Sequence, residues 1–85
     1  MSVTVYTAPF CQQCDATTRL MDRLGIDYET VDVSQDPAAL DFIRAEGFTQ
    51  APVVYAGEES WSGYNREKIR EIAGMLAGEA VLAAA

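Results

Sequence analysis

Apolar residues recur along this chain at two spacings. Val3 and Val5 alternate with Thr4 and Tyr6, the period of a half-buried strand over residues 2–7. Pro9 then biases Ala8 toward an extended conformation, so Thr7-Ala8-Pro9-Phe10 reads as a loop. From about Gln12 the period lengthens: Thr17, Leu20, Met21 and Leu24 fall at i, i+3, i+4 and i+7, one buried helical face, and Gly25 stands where a left-handed cap would end it. Residues 28–33 return to a strand. Ser34-Gln35-Asp36-Pro37 opens a second helix, with Asp36 as N-cap and Pro37 at the first helical position. Leu40 and Ile43 face inward, with Phe42 a further candidate, and Gly47 closes the helix. Residues 53–56 and 59–62 read as strands around a Gly57-Glu58 turn, an antiparallel hairpin. Asn65 can cap a last helix whose Ile69, Ile72, Ala73 and Leu76 repeat the i, i+3, i+4, i+7 face.

The order β-α-β-α-β-β-α constrains the fold. The first β-α-β must cross over right-handed between parallel strands, and the hairpin adds antiparallel ones. The expected result is an α/β protein with a four-stranded mixed sheet and three helices on both of its faces, the minimal thioredoxin/glutaredoxin fold. Eighty-five residues hold one such domain, 1–85, and no second core. The Ala-rich end from about Gly78 is expected to fray.

Charge narrows the partners. Thirteen acids against six bases, with no histidine, give a net charge of −7, which repels a phosphate backbone and argues against nucleic-acid binding. Arg66, Lys68 and Arg70 cluster near the start of the last helix as a local basic edge. No run of eighteen apolar residues exists to span a membrane. Met1-Ser2-Val3-Thr4-Val5-Tyr6 has neither basic residues nor an apolar core, so it does not read as a signal peptide, and a cytoplasmic location is expected.

The chemistry lies in Cys11-Gln12-Gln13-Cys14, placed between the first strand and the first helix. A helix start presents unpaired N–H groups and about half a positive charge. A thiolate there is stabilised, and its pKa falls below the free value of about 8.5. Cys11, nearer the helix start, is the expected exposed nucleophile. Cys14, one turn on, can attack a mixed disulfide and release the partner. Two other readings compete. A structural disulfide over so short a loop restrains the unfolded chain little. A zinc site normally takes four ligands, and two cysteines without histidine supply only half, so a metal or iron–sulfur centre would have to bridge two chains. No metal is expected within one chain. Pro52, just before the third strand, faces the cysteine motif in this topology; a cis bond there lets Ala51 offer its backbone to a partner peptide as an added strand. A strand-initiating trans proline is the alternative.

Three segments together, Thr7-Ala8-Pro9-Phe10-Cys11-Gln12-Gln13-Cys14, Gln50-Ala51-Pro52-Val53-Val54 and Trp61-Ser62-Gly63-Tyr64, resemble the NrdH-type redoxins, glutaredoxin-like proteins that behave as thioredoxins. The resemblance runs over about residues 3–76. It implies a dithiol–disulfide oxidoreductase that carries electrons from NADPH, through thioredoxin reductase, to the large subunit of class Ib ribonucleotide reductase. It implies that glutathione is not the reductant. Glutaredoxins typically hold glutathione with a basic residue just before the Cys-x-x-Cys and a Gly-rich, Asp-containing turn after the fourth strand; here those places hold Ala8 and Trp61-Ser62-Gly63-Tyr64-Asn65.

The expected catalytic residues are therefore Cys11 and Cys14, and the expected partner surface is Phe10, Gln12, Gln13, Ala51, Pro52, Trp61, Ser62, Gly63 and Tyr64. Trp61 is expected to serve that surface, with core packing as the alternative. Phe10 is expected to be exposed beside the nucleophile, with a place folded back on the core as the alternative. Asp15 points about 100° away from Cys14 on a helix and is a poor general base for it. Many relatives carry Lys or Arg at the position of Ala8 and a basic residue where Asn65 stands, so the bracing of the Trp61 loop is expected to be missing or rebuilt. No bound cofactor beyond the Cys11–Cys14 disulfide is expected, and the chain is expected to be a monomer. A glutathione-dependent glutaredoxin and a metal- or cluster-bridged dimer are the rival functions.

Overall fold

Strand β1 (Val3–Thr7) is buried from both sides, and the rest of the molecule is arranged around it. Its alternation sends Val3 and Val5 to one face and Tyr6 to the other. The structure is a computed structural model that describes residues 1–84, with side chains as far as Gly78. The elements that follow are α1 (Gln12–Arg23), β2 (Glu29–Asp32), α2 (Pro37–Ala45), β3 (Val53–Ala56), β4 (Glu59–Ser62) and α3 (Arg66–Ala84). The sheet order is β2-β1-β3-β4: β1 runs parallel to β2 and antiparallel to β3, and β3 pairs antiparallel with β4. This is the expected four-stranded mixed sheet with three helices. α3 is helical as far as Ala84, through the segment from about Gly78 that was expected to fray; Ala85 lies outside the described residues.

Two apolar layers fill the space between sheet and helices. On one face Val3, Val5, Val54, Ala56 and Trp61 meet Leu20 and Met21 of α1 and Ile69 and Ile72 of α3. On the other face Val33 and Val53 meet Ile43 of α2, flanked by Tyr6, Leu40, Phe48 and Tyr55. Tyr55 stands edge-on to Tyr6 and Phe48, with ring centroids 5.8 and 6.1 Å away. Phe42 is 43% exposed, so it does not point fully inward; it covers the rim of this cluster, 5.4 Å from Tyr55 and 6.0 Å from Tyr6.

Both N-caps foreseen from composition are present. Asp36 Oδ1 accepts from Ala39 N at 3.1 Å, and Asn65 Oδ1 accepts from Lys68 N at 3.0 Å. Both helix exits use a left-handed glycine. Gly25 (φ +72) donates to Asp22 O while Ile26 donates to Met21 O; Gly47 (φ +93) and Phe48 repeat the pattern on Arg44 and Ile43. These paired bonds satisfy carbonyls that the helix leaves open, and each brings an apolar residue back onto the helix it leaves.

Three sequence expectations are corrected. Leu24 does not extend the buried face of α1: it is the C-cap and is 36% exposed, because Gly25 turns the chain and Ile26 fills the core instead. Strand β2 is Glu29–Asp32, one residue shorter at each end than expected, and it lies at the sheet edge with Glu29, Thr30 and Asp32 exposed. The basic edge on α3 is partly neutralised, because Lys68 Nζ reaches Glu59 at 2.8 Å and Glu71 at 3.7 Å.

Ile69 is completely enclosed between α3 and the sheet. Ile69→Ala is expected to cost about 2–5 kcal/mol by lost burial and the cavity left behind, read as a lower urea midpoint with an unchanged slope.

Among the described residues, three groups are held above their ordinary values. Burial and then the hydrogen bond to Asp22 raise Tyr28 from 10.0; burial and then the charge of Glu46 raise Tyr55 from 10.0; the hydrogen bond to Glu59 and then its charge raise Lys68 from 10.5. In each case the folded state holds its proton more tightly than the unfolded chain. The stability this supplies is complete below the unfolded values and is lost as pH rises through the folded ones. Urea midpoints are expected to fall between about pH 9 and about pH 11, and Tyr28→Phe, which lacks the titrating hydroxyl, should flatten part of that fall.

Candidate functional site

Strand β1 ends at Thr7, and the four residues after it lead into the first turn of α1. Pro9 and Phe10 are exposed there; Phe10 has φ +57 and a side chain that is 107% exposed. An aromatic residue in the left-handed region is uncommon and mildly strained. It turns the ring outward, which decides between the two places open to Phe10. Cys11 is the N-cap of α1, in extended conformation.

Cys11 and Cys14 form a disulfide, with their Cα atoms 5.2 Å apart. The two sulfurs are not equivalent. Cys11 is half-buried, whereas Cys14 is only 3% exposed. The backbone N–H of Cys14 donates to Cys11 Sγ at 3.1 Å. After reduction the same N–H stabilises a thiolate on Cys11, as does the positive end of α1. Exposure and hydrogen bonding therefore both favour Cys11 as the attacking sulfur. The hydroxyl of fully buried Thr17 donates to Gln13 O at 2.8 Å, and that of Thr18 to Cys14 O at 3.2 Å, holding the first turn of α1. Asp15 is exposed on the next position, where it does not face the buried Cys14.

The facing wall is the segment before β3. The Ala51–Pro52 bond is cis, as the topology suggested, and Pro52 is buried. Ala51 O lies 3.8 Å from Cys11 Sγ. Ala51 is half-buried, so its backbone borders the sulfur at the place where an extended partner peptide would run.

The third wall is the loop between β4 and α3, and its bracing had no signal in composition or periodicity. Gly63 N donates to Pro52 O at 2.8 Å, and Tyr64 N donates to Gln13 Oε1 at 3.0 Å. These two bonds tie the loop to the other two walls, and Gln13 supplies the one that comes from a side chain. The one clue in the sequence was Gly63, whose φ of +84 the turn requires. Ser62 and Tyr64 are exposed beside it, and Gln12 is exposed on α1.

Trp61 is placed differently from expectation. Its indole is 7% exposed and lies within the core under α1 and α3. The alternation of β4 sends Glu59 and Trp61 to the helix-covered side and Ser60 and Ser62 away from it. The aromatic wall beside the cysteines is thus not Trp61; its neighbours Ser62, Gly63 and Tyr64 supply that surface. The indole Nε1 is enclosed without a hydrogen-bond partner among the described residues.

A shallow depression of about 440 Å³ in front of the disulfide is lined by Ala8, Phe10, Cys11, Gln12, Gln13, Gln50 and Ala51. Apart from Cys11, none of these residues ionises. The net charge of −7 is carried elsewhere. A second groove of about 190 Å³ shares Ala8, Gln50 and Ala51 with it and continues over Val33, Leu40, Ile43 and Phe48, with Arg44 and Thr49 on its lining. The depression in front of the disulfide is therefore uncharged, and the groove beside it is largely apolar with one cation, Arg44, on its lining.

The glutaredoxin family model matches residues 3–61. The chain is 47% identical to the glutaredoxin-like protein NrdH of Salmonella typhimurium and 44% identical to that of Escherichia coli, in each case over 85% of this chain and 89% of the relative. The chain belongs to the NrdH-type branch of the glutaredoxin family. The solved structure of the E. coli NrdH-redoxin superposes with a TM-score of 0.82 at 45% identity, covering 84% of this chain and 93% of that one. A buckwheat glutaredoxin in complex with glutathione superposes with a TM-score of 0.71 at 25% identity, covering 89% and 76%. As an NrdH-type redox protein the chain is a disulfide oxidoreductase, and the Cys11–Cys14 pair is its redox-active centre. No helix among the described residues is long and apolar enough to cross a membrane.

The inequality of the two sulfurs has a direct readout. Cys14→Ser is expected to accumulate mixed disulfides through Cys11, while Cys11→Ser accumulates none. Mass spectrometry after alkylation of the reduced protein at neutral pH should find Cys11 labelled first; labelling of Cys14 first would reverse the assignment.

Proposed function

We propose that this redoxin is an electron carrier recharged by an NADPH-dependent thioredoxin reductase and discharged on the large subunit of class Ib ribonucleotide reductase. The observation that carries the choice of reductant is the uncharged depression directly in front of the disulfide. Glutathione is anionic at neutral pH, and the depression in front of the disulfide offers it no cationic side chain: Ala8 stands where a basic residue would serve, and Gln12, Gln13 and Gln50 are neutral. A protein partner needs no such charge, because exposed apolar groups such as Phe10 and the backbone of Ala51 can bury against it. The E. coli NrdH-redoxin is a glutaredoxin-like protein with a thioredoxin-like activity profile, which supports carrying the same profile over to this chain. The client is carried over from the family resemblance.

The chemistry balances at the two sulfurs. The Cys11 thiolate attacks one sulfur of the client disulfide, forming a mixed disulfide and expelling the client's other sulfur as a thiolate. Cys14, deprotonated, attacks Cys11 Sγ; the Cys11–Cys14 bond forms, the mixed disulfide breaks and the second client thiolate leaves. Two electrons pass to the client, and solvent protonates its thiolates. The reductase reverses the sequence with two electrons from NADPH. The disulfide itself is the redox group, with no further cofactor bound, and one chain suffices for the cycle.

A coupled assay tests the reading. NADPH consumption with thioredoxin reductase and a disulfide substrate is expected to depend on this protein and to vanish in Cys11→Ser. Turnover only with glutathione and glutathione reductase would replace this reading with that of a glutathione-dependent glutaredoxin.

A further inference from the structure

The loop after β4 turns two successive backbone N–H groups, those of Gly63 and Tyr64, toward the other walls of the site. Successive amides around a left-handed residue form a concavity suited to an anion. Here both are taken by neutral oxygens. Gly63 N–H is bound by Pro52 O, a main-chain group that no substitution removes. Tyr64 N–H is bound by Oε1 of Gln13, the exposed third residue of the cysteine motif. A Cβ at position 63 would stand 3.2 Å from that same oxygen, so a larger residue there would push the amide back by a few tenths of an ångström.

We propose that Gln13 is a specificity-determining residue. By occupying the Tyr64 N–H it withholds from an incoming thiol the donor that would bind its carboxylate, and so disfavours carboxylate-bearing thiols such as glutathione as reductants of the Cys11–Cys14 disulfide. A protein thiol with no carboxylate near its sulfur loses nothing by this arrangement. The residue touches the reacting turn of α1 without taking part in bond exchange, so it acts on which reductant docks.

The inference deepens the reading that a flavoprotein reductase, not glutathione, recharges the pair, and rests on it. In the disfavoured reaction a glutathione thiolate attacks Cys11 Sγ, forming a mixed disulfide and breaking the Cys11–Cys14 bond. Cys14 leaves as a thiolate and takes a proton from solvent. A second glutathione thiolate attacks the glutathione sulfur of the mixed disulfide, giving glutathione disulfide and the Cys11 thiolate. Two glutathiones are oxidised and one protein disulfide is reduced.

The test compares reduction of the oxidised protein by glutathione and by glutathione diethyl ester, the same thiol with its carboxylates masked. The quantity read is the ratio of the two rates, which divides out any change in the disulfide's own reactivity. Gln13→Ala frees the N–H, and Ala is a strong helix former at this exposed position. The ratio is expected to rise about 5- to 10-fold, the value of one hydrogen bond to a charged acceptor in partly solvated surroundings. Gln13→Glu keeps an acceptor and adds a negative charge, so its ratio should stay at or below that of the unsubstituted protein. A ratio unchanged in Gln13→Ala, or raised in Gln13→Glu as much as in Gln13→Ala, overturns the proposal. Rapid turnover of the unsubstituted protein by glutathione would instead overturn the reading of the reductase, a separate outcome.

Discussion

The hydrogen bond from the Cys14 N–H to Cys11 Sγ spans one turn of helix, and the rest of the fold is built to put a helix start at that point. A sulfur gains from a helix N-terminus only if the chain enters the helix in extended conformation with the cysteine as cap. Strand β1 supplies that entry. It is buried between β2 and β3 within the sheet and between two helical layers across it, so its end is fixed in position. Thr17 and Thr18 then tie their hydroxyls to carbonyls of the same first turn, and the turn that carries the redox pair is held from its own following residues.

The site closes around that turn from two other directions, and both closures use main-chain atoms. Ala51 O borders Cys11 Sγ, and the next carbonyl, that of Pro52, takes the N–H of Gly63. One short segment thereby faces the reactive sulfur and holds the β4–α3 loop. Gln13 completes the ring from the cysteine motif itself. Backbone bonds of this kind place neutral dipoles at the rim without charged side chains, which fits a surface meant for protein partners in a chain whose charge of −7 is carried elsewhere. It also leaves Phe10, among the described residues, as the large apolar side chain standing fully free beside the pair.

Much of this was legible in the sequence, for identifiable reasons. Caps and exits depend on local chemistry, so Asp36, Asn65, Gly25 and Gly47 could be placed by residue type and position alone. Leu24 and Trp61 show where that logic stops. Leu24 satisfied the helical period, but whether a helix runs one residue further depends on the turn after it, and Ile26 competes for the same core space. Trp61 lies in a motif that suggested the surface, yet strand alternation gave it to the core, and no property of the residue itself reports which face of β4 will be covered.

The sequence by itself determined the element order, the fold class and the redox pair, because periodicity, capping and a Cys-x-x-Cys at a strand-to-helix junction are properties of neighbouring residues. Only the tertiary structure decided that Leu24 leaves the core, that Trp61 is core, and that Gln13 holds the Tyr64 N–H. Each of these depends on which side of an element faces another element, and the bond between Gln13 and Tyr64 joins residues 51 positions apart. No local pattern encodes a hydrogen bond across that separation; it exists once the sheet brings the two ends of the site together.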